Sequence, residues 1–160
     1  MYETDHALSF RAAAPIDIVW DELHTLERLL ENIPTISSFE VDADGRHASF
    51  TGALTRWPAS WRALPGQAEI TSSEPPRRLE LTLTVPEVGL HFVGTFELAS
   101  VAAEETNLTY RGELRCDHPL AARLRHVLTG ILETHMDALA TRIASRAARR
   151  TAAAHALGDL

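Results

Sequence analysis

Two side chains in this sequence of 160 residues, Tyr110 and His135, could move or share a proton inside an enclosed site. An imidazole titrates close enough to neutrality to act as a general base, and a phenol can donate a hydrogen bond to a carbonyl oxygen. His135 falls three residues after Leu132 and one before Met136, at the inward edge of an apolar stripe, and Tyr110 is the phenol expected to face the same interior. The alternative is structural, because a lone histidine on an apolar helix edge commonly serves packing alone. A second cluster lies in RWPASWRALPG, residues 56 to 66. Trp57 and Trp61 offer large apolar area with an N–H to orient a ligand, and Arg56 or Arg62 could meet an acidic head group. The competing reading is that the rings cap a core rim and the arginines are solvated.

Other chemistries are excluded or poorly supported. All 15 basic residues are arginine, which removes both a P-loop and a Schiff-base lysine. The formal net charge of −7 opposes a nucleic-acid groove, so no nucleic-acid partner is expected. Eight histidines contain no H-x-x-x-H or H-E-x-x-H spacing, and His126 and His135 face different ways on a helix, so neither metal nor cofactor is expected. His91 alternates with Phe92 and points to the opposite side. No G-x-S-x-G elbow is present, and the single cysteine, Cys116, reads as a small buried strand residue. Glu104 and Glu105 read as solvated turn residues. No run of about 18 apolar residues could cross a bilayer, and the start MYETDHALSF lacks a secretory pattern, which points to the cytoplasm.

The elements that must position these residues follow from two changes of period. Residues 4 to 12 alternate as a half-buried strand. Pro15 then suits a helix start, with Ile16, Val19, Trp20 and Leu23 at helical spacing. Leu26, Leu29, Leu30 and Ile33 continue a second stripe that Pro34 ends. From Ile36 to Cys116 six strands are expected, divided by turn chemistry at DADG, LPG (64 to 66), SEPP and PEVG. After Pro119 a helical stripe of Leu120, Leu124, Val127, Leu128, Ile131, Leu132, Met136, Leu139 and Ile143 runs to about residue 150. Residues 151 to 160 read as a flexible tail after a single domain spanning 1 to 150. Arginines in RIASRAARR suit the last turns of that helix, complementing its dipole and solvating it.

One strand, two short helices, six antiparallel strands and a long terminal helix make an α+β fold in which the helix lies across a bent sheet. Gly52, Gly94 and Gly112 alternate with Phe50, Phe92, Phe96, Tyr110 and Leu114, so all three face the apolar side. Either they curve the sheet and leave volume inside, or they make room for bulky helix residues in a filled core. Gly130, inside the long helix, marks either a kink or a packing contact.

The runs FRAAAPIDIVWDELHTLERLLENIPTISSFEV, EITSSEPPRRLELTLTV and GTFELASVAAEETNLTYRGELRCDHPLAARL resemble the START/polyketide-cyclase superfamily, also called SRPBCC or helix-grip proteins, over about residues 5 to 145. The A-P-x-x-x-V-W opening at Ala14 to Trp20 and the PPRRLEL hairpin entry most resemble its polyketide cyclase/dehydrase-like and carbon monoxide dehydrogenase G-like branches. The resemblance implies a seven-stranded curved antiparallel sheet gripping the C-terminal helix around a deep apolar cavity. It places Trp20 at a helix-packing position and a ligand-specific loop near Trp57 and Trp61.

The expected ligand-binding set is Phe50, Leu54, Arg56, Trp57, Trp61, Leu81, Leu83, Phe92, Phe96, Tyr110, Leu128, Leu132, His135 and Met136, with Tyr110 and His135 as the candidate catalytic pair. The function expected is binding or carriage of a hydrophobic small molecule, lipid- or polyketide-like. The alternative is a cyclase, aromatase or dehydratase acting in the same cavity. A third reading, an assembly factor, would use a partner surface at Arg142, Arg146, Arg149 and Arg150. A homodimer or a partner protein is left open, and stable membrane insertion is not expected.

Overall fold

The computed structural model describes residues 2–52, 63–123 and 125–158, apart from the side chains of Val127 and Ile131. Strand β1, Tyr2–Ala12, alternates as expected, with Glu3, Asp5, Ala7, Ser9 and Arg11 exposed and the residues between them half-buried. Helix α1, Ile16–Leu23, follows Pro15, whose carbonyl accepts from the Ile18 and Val19 amides. Thr25 then caps helix α2, Leu26–Glu31, its side chain accepting from the Arg28 amide. The apolar stripes of both helices are buried, with Val19, Leu23, Leu26, Leu29 and Leu30 sealed from solvent.

Six strands follow: β2, Ile36–Val41; β3, His47–Gly52; β4, Leu64–Glu74; β5, Arg78–Val85; β6, Leu90–Ala102; and β7, Glu105–Cys116. They form one seven-stranded antiparallel sheet in the order β1-β7-β6-β5-β4-β3-β2, so the meander returns to pair its last strand with the first. Register shifts between Ile36 and Ser38, Ile70 and Ser72, and Ser100 and Ala102 interrupt the ladders of the curved sheet. A 3-10 turn, Pro86–Val88, joins β5 to β6 and ends on Gly89 at φ 61°, the left-handed conformation that a glycine adopts freely.

The LPG segment is not a turn. Leu64, Pro65 and Gly66 open β4 and pair with Gly52, Thr51 and Phe50. Gly66 is there because a ring is: a Cβ at that position would stand 2.3 Å from Cζ of Phe50.

Helix α3, Arg125–Gly158, begins later than expected and runs through the stretch read as a tail. The reason is that its buried stripe continues beyond Leu139, Ala140 and Ile143 into Ala147 and Thr151, and the Thr151 hydroxyl donates to the Ala147 carbonyl. Alanine-rich turns carry high intrinsic helix propensity even where the apolar stripe is narrow. A Cβ at Gly130 would meet nothing within 4 Å, so close packing is not what that glycine provides.

The arginines of α3 do more than solvate its end. Arg142 donates to the Asn32 carbonyl, Arg146 pairs with Glu31 at 2.8 Å, and Arg150 pairs with Glu22 at 2.9 Å. Glu22, only 2 % exposed, also holds Arg28 at 2.7 Å. One buried carboxylate thus ties α1, α2 and α3 together. Glu105, expected to be solvated, opens β7 and pairs with Arg11, while Glu104 pairs with His155.

Candidate functional site

The inner face of the sheet is divided in two by a row without side chains. Gly94 on β6 pairs directly with Gly112 on β7, and Leu81 on β5 pairs with Gly94. On one side of this row Leu79, Phe96 and Leu108 are packed solid. On the other side a cavity opens, bounded by Leu83 and Val85 of β5, Leu90 and Phe92 of β6, and Leu114 and Cys116 of β7. Phe50, Gly52 and Leu64 close it toward the far edge, Ile33, Thr35 and Ile36 close the α2–β2 end, and Leu128, Leu132, His135, Met136 and Leu139 of α3 form the roof. The cavity volume is ≈ 140 Å³.

The glycines settle the question their spacing raised, and each does so differently. A Cβ at Gly94 would lie 2.8 Å from the Tyr110 hydroxyl, and one at Gly112 2.8 Å from the Met136 sulfur, so this pair seats bulky groups. Gly52 has only ordinary contacts, from 3.8 Å outward, and lines the cavity itself. Because the Tyr110 ring is stacked on Phe96 at 4.3 Å, Gly94→Ala is expected to cost about 1–3 kcal/mol. Gly112→Ala should cost less, since the thioether of Met136 can swing aside. Urea midpoints of the two variants check the order.

Tyr110 is the polar feature of this site. It starts from the filled half, stacks on Phe96, and crosses Gly94 to reach the cavity wall. Its side chain is 2 % exposed, and its hydroxyl has no hydrogen-bond partner among the described residues. Burial pushes the phenol well above its ordinary pKa, so it stays protonated and can donate. Burial also pushes His135 below the ordinary histidine value, which keeps its imidazole neutral near pH 7. The Cys116 thiol, by contrast, is committed to the Val88 carbonyl at 3.3 Å.

The His135 shift has a stability consequence. The unfolded chain, with an ordinary histidine pKa of about 6.5, takes up this proton more readily than the folded one. Stability is therefore expected to be complete above about pH 6.5 and to fall as the pH drops through the folded-state value. Urea midpoints at about pH 7.5 and about pH 5 should separate for the parent chain, and His135→Leu should narrow that separation.

Of the expected binding residues, Phe50, Leu83, Phe92, Tyr110, Leu128, Leu132, His135 and Met136 come together around the cavity. Leu81 and Phe96 do not line it: both are fully buried in or behind the glycine row, where no open space reaches them. Leu54, Arg56, Trp57, Trp61 and Arg62 lie outside the described residues. Sequence reasoning missed Leu64, because LPG read as a turn, and Val88, because PEVG did; a run of apolar residues flanking each glycine was the available signal. Among the described residues no group of three or more His, Cys, Asp and Glu side chains is placed to hold a metal ion. No helix among them is long and apolar enough to cross a membrane.

A curved antiparallel sheet wrapped on a long C-terminal helix, with an apolar hollow between them, defines a helix-grip protein of the START/SRPBCC type. The chain belongs to the polyketide cyclase/dehydrase and lipid transport family, whose model matches residues 5–144. Among solved structures it is similar to the Zhui aromatase/cyclase from a Streptomyces species, with a TM-score of 0.72 and 18% identity over 94% of this chain and 96% of that one. A conserved protein from Geobacillus kaustophilus gives 0.71 and 19% over 91% and 96%. The di-domain aromatase/cyclase StfQ of the steffimycin biosynthetic pathway gives 0.71 and 14%, with 94% of this chain on 52% of that one. Identities this low establish the shared fold. No curated protein matches the sequence.

Proposed function

We propose that this chain binds and carries a hydrophobic small molecule, lipid- or polyketide-like in character, in the cavity between the sheet and α3. The observation that carries the reading is the lining itself: apolar side chains throughout, relieved by Thr35, Tyr110, Cys116 and His135. Such a surface gains by taking up apolar area from water, while one or two fixed polar groups orient what enters. The family description, which joins lipid transport with cyclase and dehydrase chemistry, supports a hydrophobic ligand in either case. The assembly-factor reading loses ground because Arg142, Arg146 and Arg150 are engaged within the chain.

One observation favours a second reading, a cyclase or dehydratase: a protonated phenol with no hydrogen-bond partner among the described residues shares the cavity with a neutral imidazole. The two are separated by Tyr110→Phe and His135→Ala. A carrier should still retain a fluorescent apolar ligand in both variants. A cyclase should lose turnover of a poly-carbonyl substrate by ~10² or more in at least one of them.

A further inference from the structure

We propose that His135 makes the retention of a neutral hydrophobic ligand depend on pH: the chain holds such a ligand at neutral pH and releases it as the medium turns acidic. This rests on the binding reading above and adds a control to it.

Position is the first argument. His135 is the histidine that lines the cavity among the described residues, and it shares a flank of α3 with Leu128 and Leu139. Arg142, further along the same flank, reaches the Asn32 carbonyl, so this side of the roof faces the α2–β2 end of the cavity. The imidazole is half-buried and keeps part of its surface in solvent. With the cavity empty, water therefore reaches the ring and can hydrate its cation. An apolar body lying beneath the ring displaces that water, and a charged imidazole then opposes binding.

The second argument is charge, since a carboxylate beside the ring would stabilise its cation and cancel the effect. On α3 itself Glu133 and Asp137 stand two positions to either side, exposed and on the other face, and Asp137 faces His6 of β1 at 3.5 Å. At the α2–β2 corner Glu31 is paired with Arg146, and Glu40 of β2 is exposed opposite the inward Phe39 and Val41. Asp117, after β7, is bonded through its amide to Gly89 at the β5–β6 turn. The ionisable groups that the sheet turns into the cavity are a phenol, Tyr110, and the Cys116 thiol, which donates to the Val88 carbonyl. Residues 53 to 62 lie outside the described residues, but their sequence, ALTRWPASWR, contains no carboxylate. Its ionisable side chains are Arg56 and Arg62, and a guanidinium near the ring would disfavour a second cation still further. Burial already holds His135 below the ordinary histidine value, and a neutral ligand buries it more deeply. Binding therefore expels a proton wherever the empty chain carries one. Affinity is full above about pH 6.5 and falls as the pH drops through the value of the empty chain.

The test is a fluorescence titration of the full chain with Nile red, an apolar probe that stays neutral over this range, at about pH 7.5 and about pH 5. Affinity should weaken on the order of tenfold at the lower pH, the scale that burial sets for a histidine. In His135→Gln, which has no proton to take up, the ratio of the two affinities should come close to one. His135→Leu, suited to the apolar roof, repeats the measurement if the glutamine variant does not fold. Near-ultraviolet circular dichroism at both pH values distinguishes release from unfolding. Equal affinity of the parent chain at the two pH values would overturn this inference and leave the binding function standing. So would a pH dependence that survives both variants, or release that coincides with loss of the near-ultraviolet signal. Failure of the probe to bind at either pH would overturn both this inference and the proposed function.

Discussion

Replacing Phe96 by alanine is expected to lower the unfolding free energy by about 3–5 kcal/mol, the range for deleting a fully buried ring. Phe96 has 0 % exposure and lies in the filled half of the inner face, so the vacated space has no solvent to fill it. Its partner is Tyr110, opposite it on β7 and stacked with an interplanar angle of 13°. The loss should therefore extend to the site: without Phe96 the phenol is no longer held over Gly94, and a ligand oriented by that phenol should bind more weakly. Chemical denaturation gives the first effect and ligand titration the second. Phe96→Leu, which retains much of the volume, should show a smaller loss of both. A stability change below about 1 kcal/mol would mean that this half of the interior is not packed as described.

Removing both arginines from the buried carboxylate is expected to cost a similar amount. In Arg28→Met with Arg150→Met, Glu22 would keep its 2 % exposure and lose both partners, and an unpaired buried charge costs about 3–5 kcal/mol. Each single variant should cost much less than half of this, because the remaining guanidinium still pairs with one carboxylate oxygen; the arginines themselves are partly solvated. The pair should thus be strongly non-additive in a double-mutant cycle of urea midpoints. Adding Glu22→Leu to the double variant should restore most of the stability, since an apolar residue there leaves no charge to satisfy. Additive small losses would show that the clamp joining α1, α2 and α3 contributes little.

The architecture was legible because its signals are local. Alternation in residues 4 to 12, the Pro15 start, the stripe of Leu26, Leu29 and Leu30, and the period change after Cys116 each depend on near neighbours. The turn at LPG failed for a physical reason. Proline and glycine usually punctuate strands, but Pro65 sits outward in β4, and Gly66 accommodates the Phe50 ring, a contact made with a different strand. The end of α3 was hidden because alanine and threonine say little about burial until a neighbour covers them. Glu22 was hidden for the opposite reason: a charged residue on an amphipathic helix reads as solvated, and its partners lie 6 and 128 positions away.

The candidate site shows the same limit. Period-2 reasoning correctly turned Leu81, Leu83, Phe92, Phe96 and Tyr110 to one face. It could not tell that the face is half core and half cavity, because that division is drawn by the Gly94–Gly112 pair across two strands and by what stands over it. Sequence identified the row of glycines; only register showed that two of them seat Tyr110 and Met136 while Gly52 opens toward the cavity.

The central claim is that apolar space stands open beneath the N-terminal half of α3, and xenon tests it most directly, since it enters apolar cavities of this size without needing any specific contact. A crystal of the full chain pressurised with xenon should show a bound atom among Phe92, Leu114, Leu132 and Met136. Tightly interlocked side chains there, with no xenon at saturating pressure, would contradict the account.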